Sequence, residues 1–96
     1  MSGRDEPSAA LCRGLASELR EMGALVEGLA EVLASDLAVA ERHLARLQQF
    51  DLLAQQMGEG ARLLDQLGGG ACAVRAVNAV RLERMQARLR AGLKAA

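Results

Sequence analysis

The chain has no Trp, no Tyr, one Phe, one Pro, two Cys and one His in 96 residues, and its formal net charge is zero. Each scarcity excludes something. Without aromatic side chains there is no platform on which to stack an unpaired base, and the neutral balance argues against a general polyanion binder, so nucleic acid is not an expected partner. The near absence of Pro and aromatics also disfavours strands, which draw on β-branched and aromatic residues. Cys12 and Cys72 are too few for a disulfide framework, and with His43 they cannot complete a four-ligand zinc site. No apolar run reaches the roughly 20 residues that cross a bilayer, and the polar start, Met1 to Ser8, does not resemble a secretory leader. These readings place the chain in the cytoplasm, away from membranes, with both thiols reduced and no cofactor of its own.

What is abundant is Ala, Leu, Arg, Glu and Gln, the best helix formers, within a 51% hydrophobic chain. An all-α fold follows. Residues 1–7 read as a disordered arm ending at Pro7, and residues 8–96 as one helical domain. Leu11, Leu15, Leu19, Met22, Val26, Leu29 and Leu33 recur in steps of four and three, one stripe along a helix over 8–34. The stripe continues through Leu37, Ala40, Leu44, Leu47, Phe50, Ala54, Met57, Ala61 and Leu64 over 36–67, with Ser35 and Asp36 as possible caps between the two. No Gly or Pro stands at that junction, so one long helix and two shorter ones remain alternatives. Gly68, Gly69 and Gly70 predict a chain reversal, and 71–94 reads as a third, amphipathic helix.

Charge is unevenly distributed. Residues 71–96 hold six basic and one acidic residue, whereas residues 1–70 hold six basic and eleven acidic. Antiparallel packing across the glycine turn would set the two charges side by side. Met22, Met57 and Met85 fall on the apolar stripes and are expected in the core. Interior glycines such as Gly14, Gly23, Gly28, Gly58 and Gly60 permit close helix approach. The apolar core of one such chain is thin. The expected architecture is therefore an antiparallel helical hairpin or three-helix chain, two copies of which form a homodimeric four-helix-type bundle.

Polar residues cluster beside the stripe in one place. Gln48, Asp51 and Gln55 follow one another at spacings of three and four, so they share a helical face, which Glu41 and Arg62 extend and Gly58 leaves unobstructed. A fixed amide can both accept from and donate to a water molecule, holding it in line with a phosphoryl group. A carboxylate one turn away can pair with a partner's lysine. Phosphoryl transfer needs mainly placement and charge stabilisation, so this pair suffices where the partner supplies the phosphate and a magnesium ion. The same three residues could instead form a polar network that fixes helix register.

The segment Asp51, Leu52, Leu53, Ala54, Gln55 resembles the Asp-Leu-Thr-Gly-Gln segment of CheZ-type chemotaxis phosphatases, with Leu53 for Thr and Ala54 for Gly. The resemblance covers one helix. It implies a homodimeric four-helix bundle that hydrolyses the aspartyl phosphate of a CheY-like response regulator. Gln55 would orient the attacking water, Asp51 would engage a lysine of the regulator, and Mg²⁺ would reside in the partner's receiver domain. Gln48, Gly58 and Arg62 would border the docked partner, and the basic row Arg81, Arg84 and Arg88 would face its acidic pocket. The alternative is a non-catalytic helical adaptor, chaperone or dimerisation module. His43 lacks the adjacent acid and nearby glycine of histidine phosphotransfer domains and reads as a solvated helix residue.

Overall fold

The computed structural model describes residues 6–96, so the residues 1–5 of the expected arm lie outside the described part. Five helices follow in order: α1 (Glu6–Ala34), α2 (Leu37–Arg42), α3 (Leu44–Gly68), α4 (Ala73–Asn78) and α5 (Glu83–Ala95), with no strand among the described residues. Glu6 and Pro7 already belong to α1, as a proline in the first turn can. No helix is long and apolar enough to cross a membrane among the described residues.

The chain does break at Ser35–Asp36. The Asp36 carboxylate caps α2 by accepting from the backbone N–H of Ala38 at 3.0 Å and of Val39 at 3.3 Å. Ser35 turns its hydroxyl back onto the Val32 carbonyl at 2.6 Å. A second interruption, absent from the periodicity, falls at His43, whose φ of −123° leaves the helical region while its N–H still bonds to the Val39 carbonyl at 2.8 Å. The segment 36–67 is thus a short α2 followed by the longer α3.

The hairpin is formed by α1 and α3, closed at 35–43, and not by two arms across the triple glycine. Its contact is made by small residues. On α1 the buried positions are Ala9, Ala16, Gly23 and Ala30, and on α3 the matching row is Leu47, Ala54, Ala61 and Gly68, each recurring every seven residues. A Cβ at Gly68 would stand 3.0 Å from the Ala9 carbonyl oxygen, and one at Gly23 would stand 3.6 Å from that of Ala54. Those two pairs set an antiparallel register in which Ala16 falls opposite Ala61 and Ala30 opposite Leu47. Both Ala16 and Ala61 are 0% exposed, so the backbones approach as closely as methyl groups allow. Cys12, Leu19, Val26 and Leu33 flank this row, half-buried.

The glycine turn ends α3 in a Schellman motif. Ala71 N–H reaches the Gln66 carbonyl at 2.9 Å, Gly70 N–H reaches that of Leu67 at 3.2 Å, and Gly70 takes the left-handed φ of 107° that a glycine tolerates. Beyond it, 71–94 is not one helix. Side chains divert the backbone hydrogen bonds at 77–81: the Gln86 amide donates to the carbonyls of Val77, Asn78 and Val80 at 3.0–3.3 Å, and Glu59 takes the Arg81 N–H at 2.7 Å. The Asn78 side-chain oxygen accepts from Arg90 at 2.8 Å. Val77 and Val80 are buried at this corner. The result is elongated, 57 × 25 × 17 Å, with a radius of gyration of 16.3 Å. A compact chain of this length would have about 12 Å.

Candidate functional site

Helix α3 carries the candidate residues on the side flanking its contact with α1. Asp51 and Gln55 stand one turn apart, both exposed, and neither side chain has a hydrogen-bond or ion-pair partner among the described residues. Gln48 is likewise exposed. The three therefore do not form a register-fixing network within the chain. Gly58 opens onto empty space, with nothing within 4 Å of a Cβ built there.

Two adjoining depressions run along this face. Gln48 and Asp51 border the first together with Glu27 and Glu31 of α1 and the apolar floor of Ala30 and Leu47. Gln55, Gly58 and Arg62 border the second with Arg20, Glu59 and Arg81. The surface is consequently acidic around Asp51 and basic beyond Gln55. Arg20 is held by Asp65 on α3, an exposed pair. Arg84 and Arg88 sit further round, beside Leu52, Gln56 and Met85, on the side of α3 remote from α1. The structure thus joins Gln48, Asp51, Gln55, Gly58, Arg62 and Arg81 on one surface and leaves Arg84 and Arg88 as its outer margin.

Glu59 is the residue that sequence reasoning missed. It is the one buried charged side chain among the described residues, at 5% exposure. Its Oε1 accepts the Arg81 backbone N–H at 2.7 Å, its Oε2 accepts Arg81 Nε and Nη2 at 3.1 and 2.9 Å, and Arg62 Nη1 lies 3.3–3.4 Å from both oxygens. Burial is the largest single influence on this carboxyl and pushes it up. The Arg81 backbone and side-chain hydrogen bonds, that of Arg62 and the Arg81 charge together outweigh burial and hold it below the ordinary 4.5. The only mark of Glu59 in the sequence is its setting between Gly58 and Gly60.

Other expectations are corrected. Met22 is 44% exposed and not core. Leu11, Leu15, Leu25, Leu29 and Val32 join it in an uncovered apolar seam on α1, in steps of three, four and seven. At about 100° per residue, Leu15, Met22 and Leu29 lie roughly 100° to one side of the α3 contact and Leu11, Leu25 and Val32 roughly 160° round in the same sense, while Arg20, Glu27 and Glu31 lie to the other side. The hairpin therefore has one apolar face and, opposite it, the face bearing Asp51 and Gln55. Among the described residues no group of three or more His, Cys, Asp or Glu is placed to hold a metal, and His43 is exposed at its kink. Cys72 is exposed and Cys12 half-buried, both as free thiols. Compared with protein-family models, curated proteins and solved structures, the chain matches none.

Proposed function

We propose that this protein is a phosphatase for the aspartyl phosphate of a CheY-like receiver domain, working in the cytoplasm as a homodimer. The reading is carried by one observation: the Asp51 carboxylate and the Gln55 amide stand one turn apart on an open face of a stiff helix, with no partner of their own. Unspent hydrogen-bonding groups on a rigid support are what a docked substrate can use. Gln55 holds a water against the phosphorus, and Asp51 pairs with a lysine of the receiver. The water oxygen forms a bond to phosphorus as the bond to the aspartyl oxygen breaks, releasing inorganic phosphate and a free carboxylate. The receiver's Mg²⁺ neutralises the developing charge.

The apolar seam supports the dimer. Leu11, Leu15, Met22, Leu25, Leu29 and Val32 would pack against their equivalents in a second copy, completing a four-helix bundle and leaving the Asp51 face outward. The same seam favours a second reading, a non-catalytic adaptor that takes a partner helix along it. Substoichiometric protein should accelerate loss of acyl phosphate from a phosphorylated receiver, and Gln55→Ala should lower kcat about 100-fold, with helicity and melting unchanged. An adaptor would bind stoichiometrically, leave the phosphate's lifetime unaltered and be indifferent to the amide.

A further inference from the structure

Burying a carboxylate is costly, and an apolar side chain of similar size would close the corner between α3 and α4 at no such cost. Glu59 nevertheless occupies it, one turn after Gln55, and its two oxygens take three bonds from Arg81 at 2.7–3.1 Å beside the longer pair from Arg62 at 3.3–3.4 Å. The backbone bond fixes where the segment entering α5 begins, and the guanidinium bonds fix which way Arg81 points. Only its Nε and Nη2 are engaged. The Arg81 side chain stays 71% exposed, with Nη1 left for another molecule, on the rim of the depression that Gln55 borders. Arg84 and Arg88 follow on α5 without an ion pair among the described residues, so the anchored segment presents excess positive charge.

We infer that Glu59 is a positioning residue for partner recognition, holding Arg81 beside Gln55, with Arg84 and Arg88 at the outer margin, so that the guanidinium meets an acidic surface on the substrate protein. The naming of that partner as a receiver domain rests on the phosphatase reading. A receiver's phosphorylation site is ringed by the carboxylates that bind its metal, which fits a preset guanidinium better than a mobile one. Glu59 touches no reacting atom in this scheme and acts through Arg81. The depressed carboxyl keeps it ionised, as an anchor for a cation must be.

Two readouts test this: Kd for a receiver domain loaded with beryllofluoride, and KM and kcat on the phosphorylated receiver. Glu59→Gln should raise Kd and KM on the order of tenfold while kcat stays within about twofold, and Arg81→Ala should do the same. The double variant should be no weaker than either single one, because both remove one device. Should Glu59→Gln fail to fold, Arg81→Gln, at an exposed side chain, carries the measurement. A fall in kcat at unchanged KM, additive losses in the double variant, or unaltered affinity in well-folded variants would each overturn the inference. A wild-type chain that binds the receiver without hydrolysing its phosphate sinks the phosphatase reading alone, and Kd then decides the role of Glu59. One that neither binds nor hydrolyses sinks both.

Discussion

Four donors from Arg81 and Arg62 outweigh what burial costs the Glu59 carboxyl, so the folded chain binds the ionised form more tightly than the unfolded chain does. The sign follows. Folding gains from this group at any pH above its ordinary 4.5, and loses that gain as pH falls through the lower folded value. Urea midpoints should therefore drop as pH falls below the ordinary 4.5, and Glu59→Gln should flatten that part of the profile while lowering stability near pH 7. An unchanged profile would mean that the carboxyl gains nothing from its partners. At this scale the sequence was only partly legible. Gln48, Asp51 and Gln55 could be placed on one face because their spacing alone decides it. Glu59 could not, because its value comes from Arg81, 22 positions away, and from a backbone N–H freed by a helix break that no Gly or Pro announces.

Between helices, what matters is how close two backbones come. Gly68 lies against the Ala9 carbonyl, whereas Gly14 has no atom within 4 Å of a built Cβ. Gly68→Ala should destabilise by about 1–3 kcal/mol through overpacking, while Gly14→Ala should stabilise by about 0.5–1 kcal/mol through helix propensity. Chemical denaturation of both variants checks the pair, and equal effects would contradict the register. Apolar periodicity identified α1 and α3, and on α3 its stripe passes through the buried Leu47, Ala54 and Ala61, but on α1 it missed the buried row. It favours large side chains, so it selected Leu11, Leu15 and Met22, which face outward, over Ala9, Ala16 and Gly23, which do not. It also ran through 71–94 unbroken, because a count of apolar spacing takes no account of Gln86 and Glu59 capturing the groups that would have continued the helix.

For the whole molecule, the distribution of apolar surface is what the proposed dimer rests on. No large side chain is fully buried among the described residues, and a continuous seam on α1 is 44–69% exposed. A monomer of this kind leaves much of its apolar surface in water. Sedimentation at micromolar concentration should give about twice the 10.1 kDa chain mass, and Leu25→Glu with Leu29→Glu should return it to 10.1 kDa. A wild-type monomer would remove the bundle.

The repeat of small residues every seventh position has a consequence of its own. Sliding α1 along α3 by one repeat, about 10 Å, again sets mostly small side chains against small ones, so shape complementarity alone is nearly degenerate between notches. The connection 35–43, with Ser35 bonded back to α1 and Asp36 capping α2, acts as the stop that selects one alignment. Lengthening that link by seven residues would release the stop and let a single sequence populate two interconverting alignments, displacing Arg20 from Asp65 in one of them.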